Sequence, residues 1–140
     1  MPATNSAQSR LAAPGHGLGG NVKLSYGEVA FSGTITTADS AAILNLPLGA
    51  LVVGGFIEAD DLDTGGSPSI TLNVGDAGSA GRYFAASTVA QTGTAATAPA
   101  VTGLGFTVTE GNTAVRIAVA ANAATSAAGN VRVGLMYIIP

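Results

Sequence analysis

Residues 69–75 read Ser-Ile-Thr-Leu-Asn-Val-Gly, and this stretch decides the fold class. Its apolar residues Ile70, Leu72 and Val74 alternate with a threonine and an asparagine. A period of two places successive side chains on opposite faces of a strand, so that one face is buried and the other meets solvent. The stretch therefore predicts a half-buried β-strand.

Similar runs lie on both sides of this stretch and are separated by loops of small residues. They cover residues 21–31, 43–46, 51–57, 82–89, 104–108, 115–119 and 131–137. About eight short strands with turn signals between them are typical of sandwiches and barrels. The pattern predicts an all-β domain over residues 21–140, built as a jelly roll or a related two-sheet β-sandwich.

The last third of the chain has the pattern of an antiparallel meander. The run 104–108 leads into a turn at Glu110, Gly111 and Asn112, and the run 115–119 follows it. A second loop of small residues precedes the closing run 131–137. Alternation and turn chemistry agree here, and they predict two successive hairpins.

The first run places Val22, Leu24 and Tyr26 on one face of its strand. Gly27 interrupts the alternation, and Val29 and Phe31 follow on the other parity. We expect a β-bulge at Gly27, which would return these later residues to the same face.

Three segments do not have the pattern of strands. Residues 1–20 are rich in glycine, proline and small polar residues without any period, and they predict a flexible N-terminal arm. Residues 92–100 consist almost entirely of Ala, Thr, Gly and Pro and predict a long loop with little to anchor it. The period of residues 82–91 is ambiguous, and one helical turn fits there as well as a strand.

The composition indicates a protein that works in an assembly. Only 9% of the 140 residues are charged, while 47% are hydrophobic, and Ala and Gly together make up about a third. A free monomer normally keeps more surface charge for solubility, so we expect other protein to cover much of this neutral surface.

The charges and the missing residue types exclude several functions. The net charge is −3 and the five basic residues are scattered, which argues against a nucleic-acid groove. Without cysteine the chain has neither disulfides nor thiolate sites. The sequence has no secretory or membrane-spanning apolar run, so we expect synthesis in the cytoplasm and no membrane partner.

Catalytic and cofactor-binding residues are not predicted. The one histidine, His16, lies in the glycine-rich arm, where it is a poor base for a catalytic triad. Glycines 15–20 lack the preceding strand and the following Lys-Ser or Lys-Thr pair of a phosphate-binding loop. The absence of Trp and the few Tyr and Phe residues argue against a sugar cleft.

The cluster Asp60, Asp61 and Asp63, followed by Gly65, raises the question of calcium. Counted from Asp61, the helix-loop-helix pattern requires a carboxylate at the twelfth position, where the chain has Leu72. A site of another design could add Glu58 or Asp76. We interpret the cluster instead as a turn whose aspartates bind their own backbone, and we predict no metal site.

Four segments resemble a known family. They are Leu46–Ala50, Val52–Asp63, Ile70–Asp76 and Gly81–Phe84. These segments are similar to jelly-roll cement proteins of tailed bacteriophages, such as that of a Bordetella phage, and the resemblance extends over about residues 22–139. It implies a capsid decoration protein of the virion that binds the outside of an icosahedral shell and bridges subunits of the major capsid protein.

The resemblance implies no catalytic residue, and we predict that the chain is not an enzyme. We expect it to self-associate as a dimer or trimer, because multivalent attachment multiplies modest affinities. The alternative is a host-facing phage adhesin or a glycan-binding β-sandwich domain.

Overall fold

Eight strands form the regular framework in the computed structural model, which describes residues 21–109 and 113–140. They are β1 (Lys23–Phe31), β2 (Ser40–Leu46), β3 (Leu51–Ala59), β4 (Thr71–Asp76), β5 (Ser79–Ser87), β6 (Ala95–Ala96), β7 (Thr113–Ala121) and β8 (Gly129–Ile138). One short 3-10 turn at Val89–Gln91 follows β5. The predicted arm, residues 1–20, lies outside the described residues.

The strands form two four-stranded antiparallel sheets. The first has the order β1-β8-β3-β6 and the second the order β2-β7-β4-β5. This order is that of a jelly roll, in which the chain passes repeatedly from one sheet to the other. The predicted all-β sandwich with jelly-roll architecture is confirmed.

The two hairpins predicted at the carboxyl end are wrong. Strand β7 pairs with β2 and β4, whereas β8 pairs with β1 and β3, so the two strands lie in different sheets. Residues 104–108 do not pair with β7; within the described residues they contribute one bridge, from Thr107 to Leu51 of β3. Alternation identified the buried faces of β7 and β8, but it carries no information about the partner strand.

The core lies between the inner faces of the two sheets. It consists mainly of β-branched residues and leucines, with the aromatic side chains of Phe31, Tyr83 and Phe84. Fully buried members include Val131, Val133 and Leu135 of β8 and Val115 and Ile117 of β7. These residues alternate with outward-facing ones, as the sequence period requires.

Strand β1 has the side that carries Gly27 and Phe31 toward the core and the side that carries Leu24 and Tyr26 toward solvent. Its nine residues pair with β8 in one uninterrupted register, from Lys23 with Tyr137 to Phe31 with Gly129. The bulge predicted at Gly27 is therefore wrong. Phe31 is buried in the core, and Leu24 and Tyr26 point outward.

Gly27 is instead a point of close approach between the sheets. A Cβ atom at this position would overlap the backbone carbonyl of Ile43 in β2. Beside it, the Ser25 hydroxyl donates a hydrogen bond of 2.9 Å to the carbonyl oxygen of Asn45. Strands β1 and β2 therefore close one side of the sandwich, and only a residue without a side chain fits between them.

The loop predicted at residues 92–100 has more anchors than we expected. Strand β6 pairs with Ile57 and Glu58 of β3. The amide of Ala59 donates to the carbonyl of Thr94 at 3.0 Å, and the amide of Ala100 donates to the carbonyl of Tyr83 at 2.7 Å. Backbone hydrogen bonds, which the side-chain pattern does not show, hold this segment.

One buried carboxylate joins the loops at one end of the sandwich. Asp63 is 1% exposed. Its Oδ2 atom accepts hydrogen bonds from the amides of Ser69 at 2.7 Å, Ile70 at 3.2 Å and Ala124 at 2.8 Å, and its Oδ1 atom accepts one from Thr125 at 2.8 Å. Burial alone would raise the pKa of Asp63, but these four donors outweigh it and hold the pKa well below its usual range.

We predict that Gly27→Ala strongly destabilises the protein, because the new methyl group overlaps backbone that cannot move without opening the sandwich. We expect a loss of at least about 3 kcal/mol in the free energy of unfolding, measured by denaturant titration. Gly66→Ala is the matched control, because a Cβ atom there meets nothing within 4 Å. Equal stability of the two variants would contradict the close approach.

We predict that Asp63→Asn lowers the melting temperature at neutral pH, because one amide oxygen replaces two charged acceptors. Since the folded-state pKa of Asp63 is depressed, its stabilisation is complete above the unfolded-state pKa near 3.8 and is lost as the pH falls from there toward the folded-state pKa. Thermal unfolding from pH 7 to pH 2 should show the difference between wild type and variant shrinking below about pH 4. A constant difference over this range would rule out the carboxylate charge as its source.

Candidate functional site

The outer face of the first sheet carries a contiguous group of apolar side chains. We call Leu24, Tyr26, Phe56 and Met136 the apolar face. Leu24 is 55% exposed, Tyr26 53% and Met136 39%. Large apolar groups that lie together on a surface mark interaction sites more often than scattered ones do.

Cross-strand register arranges this outer face in three rows across β1, β8 and β3. The first row is Leu24, Met136 and Gly54; the second is Tyr26, Gly134 and Phe56; the third is Glu28, Arg132 and Glu58. The rows change from aliphatic to aromatic to ionic over a short distance. The surface is therefore apolar at one end and charged at the other.

Two glycines give the apolar face its shape. A Cβ atom on Gly134 would overlap the Phe56 ring, so this ring lies over the backbone of the central strand β8. There it reaches Tyr26 across the sheet, with ring centroids 6.3 Å apart and tilted by 35°. A Cβ atom on Gly54 would come within 2.7 Å of the terminal methyl group of Met136. The missing side chains let the aromatic and methionine groups lie close to the sheet.

The ionic row is a cluster around one guanidinium group. Arg132 contacts Glu28 at 2.7 Å, Glu58 at 3.0 Å and Asp60 at 3.7 Å. Burial would lower the pKa of Arg132, but the charges of Asp60, Glu28 and Glu58 outweigh this and raise it. The arginine therefore stays charged and is shared by three carboxylates.

The acidic turn continues this charged end into an open groove. The groove has a volume of about 490 Å³ and is lined by Glu58–Asp61 and Thr92–Ala95. The Asp60 Oδ2 atom accepts a hydrogen bond from the amide of Asn130 at 2.8 Å, and the Asp61 Oδ1 atom accepts one from the amide of Asp63 at 3.1 Å. Only the Asp61 bond is of the kind that we expected, in which an aspartate binds the backbone of its own turn. The expected solvated turn is wrong for Asp63, which is buried, and both Asp60 and Asp63 accept hydrogen bonds from segments distant in the sequence.

The residues considered for a metal site do not converge on one point. Glu58 binds Arg132, and Asp76 binds Arg82 through two hydrogen bonds of 2.7 and 3.1 Å. In residues 21–109 and 113–140, no group of three or more His, Asp or Glu side chains could hold a metal ion. His16 lies outside the described residues, and our expectations about metal, cofactor and catalysis stay predictions.

A second cluster lies at the turn between β4 and β5. The Arg82 guanidinium, paired with Asp76, stacks 3.9 Å above the centre of the Phe106 ring. Beside it, Tyr83 is buried, and its hydroxyl has no hydrogen-bond partner among the described residues. Burial raises the pKa of Tyr83 to about 12, the Asp76 charge adds to this, and the Arg82 charge opposes it. This cluster fastens residues 100–109 to the β4–β5 hairpin.

The sequence contained a signal for the apolar face, since Leu24 and Tyr26 alternate on one side of their strand. That alternation was correct, but it does not tell whether this side faces the core or the solvent, and the bulge predicted at Gly27 is absent. Phe56 and Met136 gave no signal of their own, because an outward apolar residue has the same period as an inward one. The uninterrupted pairing of β1 with β8 shows which side of β1 faces outward.

No helix among residues 21–109 and 113–140 is long and apolar enough to cross a membrane.

No family model matches the chain, and no curated protein matches it significantly. Solved structures do match it, and two of them are described here. A chain of the cyanophage Pam1 capsid asymmetric unit is 74% identical over 100% of both chains, with a TM-score of 0.85. A chain of the capsid of Ralstonia phage GP4 is 32% identical over 96% of this chain and 94% of that chain, with a TM-score of 0.72.

The identity to the Pam1 chain extends over the whole length of both chains, and the two share a fold. The similarity is therefore more than one of architecture. The chain belongs to the family of phage capsid proteins that these two structures represent, and it is a structural component of a phage capsid.

Proposed function

We propose that the chain is a cement protein, which binds the outer surface of an icosahedral phage capsid and stabilises it by bridging neighbouring subunits of the major capsid protein. The observation that carries the proposal is the full-length similarity to a chain of the Pam1 capsid asymmetric unit. A jelly roll that covers nearly the whole chain fits a small protein added to a shell built by another protein.

The described surface supports binding as the mode of action. Of the basic residues in this part of the chain, Arg82 and Arg132 are held by carboxylates, so they do not form a track for nucleic acid. Leu24 and Tyr26 lie on the outside of a rigid sheet, where they can contact another protein. No catalytic step and no cofactor are part of this proposal.

Attachment through several copies would make firm binding possible from modest contacts. We propose that the protein binds as a dimer or trimer and that the arm, residues 1–20, adds to the contact. A segment that orders itself on binding contributes contact area at the cost of its conformational entropy. Linked binding events then multiply the affinity of each site.

We predict that the purified full chain decorates capsid shells that lack it and raises their resistance to heat. Co-sedimentation measures the binding, and light scattering during heating measures shell disruption. An antibody against the protein should label intact decorated shells in electron micrographs, because we place the protein on the outside. Absence of binding, or labelling of broken shells alone, would contradict the proposal.

We predict that a chain without residues 2–20 stays folded and binds shells more weakly. All eight strands begin at or after Lys23, so the truncated chain retains the complete sandwich. Its far-ultraviolet circular dichroism should match that of the full chain, while shells decorated with it should resist heat less. Equal decoration by both forms would exclude a role for the arm.

A glycan array, expected to be negative, distinguishes this function from that of a host-facing adhesin.

A further inference from the structure

We propose that the apolar face is the surface through which this protein attaches to the shell, and that it binds an apolar patch of the capsid protein bordered by lysine or arginine side chains. This inference rests on the proposed function and adds to it the docking surface and the chemistry of the partner. It depends on three properties of the outer face of the first sheet, which are its exposure, its rigidity and its charge.

The apolar face contains residue types that are favoured in the cores of protein interfaces. Tyrosine, phenylalanine and methionine are enriched at such cores and depleted elsewhere on surfaces. Tyr26, Phe56 and Met136 meet here around Gly134, and Leu24 lies directly opposite Met136. Covering these side chains would remove a contiguous apolar area from water.

The face is organised before any partner arrives. Strand β8 lies between β1 and β3 and pairs with both along most of its length, so the backbone beneath the apolar face is fixed. The Tyr26 and Phe56 rings already contact each other over Gly134. A preorganised surface loses little conformational entropy on binding, which favours affinity.

Charge at the adjacent end determines which partner fits. Glu28, Glu58 and Asp60 contact the Arg132 guanidinium, and Asp61 lines the groove beside Asp60. Four carboxylates against one guanidinium leave an excess of three negative charges at this end of the sheet. A partner that covers the apolar rows brings its own rim close to these carboxylates. Complementary potentials favour the encounter and fix its orientation, so that rim should carry cations.

Residues 21–109 and 113–140 of a second copy do not supply those cations through the same face. Arg132 is already shared among carboxylates. Lys23 lies on β1 next to Leu24, so its side chain alternates away from the outer face. Arg116 belongs to β7 in the other sheet. Face-to-face pairing of two copies would therefore leave the acidic ends without partners, and a different protein fits better.

The test compares exposed apolar residues on and off this face, in the full-length protein. Leu24→Ser and Tyr26→Ser, singly and together, remove side chains that are more than half exposed, so the melting temperature should stay close to that of wild type. We expect the double variant to bind shells roughly thirtyfold more weakly, as loss of interface hot spots does. Val101→Ser is the matched control, because Val101 is 90% exposed in a loop outside the sheets. Its dissociation constant should stay within about twofold of wild type.

A second pair of substitutions tests the charge of the partner. Glu28→Gln with Glu58→Gln should weaken binding and also make it less sensitive to salt, because fewer charges are then screened. Unchanged salt dependence in a folded double variant would overturn the cationic partner.

The outcomes separate this inference from the proposed function. If wild type binds shells and the Leu24→Ser, Tyr26→Ser double variant binds equally well, the docking surface is wrong while the function stands. If wild type binds no shell, the proposed function fails. If the double variant changes the mass of the isolated protein in sedimentation equilibrium, the face joins copies of this chain and the proposed partner is wrong.

Discussion

The convergence of four backbone amides on the Asp63 carboxylate holds together the loop end of this sandwich. The donors come from the start of β4 and from the loop between β7 and β8, so one side chain joins segments distant in the sequence. Buried amides without acceptors are costly, and these four amides find their acceptor in the Asp63 side chain. A carboxylate has two charged oxygen atoms, so one side chain can accept all four hydrogen bonds.

The position of the charged surface follows from this anchor. Asp60 and Asp61 belong to the same turn, and Asp60 contacts both the amide of Asn130 and the guanidinium of Arg132. The turn therefore lies beside the first residues of β8, where the ionic row borders the aromatic one. An acidic cluster that suggested metal binding in the sequence is a structural element of the fold, and its outward members give charge to a neighbouring surface.

Most strand positions could be predicted from the sequence, but strand partners could not. The alternation in β4, β7 and β8 identified their buried residues correctly, because an inner face of the core imposes the period directly. Residues 104–108 were predicted as a strand but contribute an isolated bridge, whereas β6 lies in a predicted loop. For β1 the alternation leaves the buried side open, since Leu24 and Tyr26 lie on one parity and Val29 and Phe31 on the other. The choice depends on Gly27, whose missing Cβ atom admits the backbone of Ile43. That contact spans two sheets and leaves no local pattern.

The charge distribution fits the docking proposed above, in which so neutral a chain binds in a defined orientation. The whole sequence carries eight acidic and five basic residues, for a net charge of −3. Glu28, Glu58, Asp60 and Asp61 with Arg132 account for all three of these net charges, because the remaining four acids and four bases cancel. This excess of negative charge lies at one end of the first sheet, next to its apolar face. In the docking proposed above, it would fix the orientation of a cationic partner surface with few charged residues.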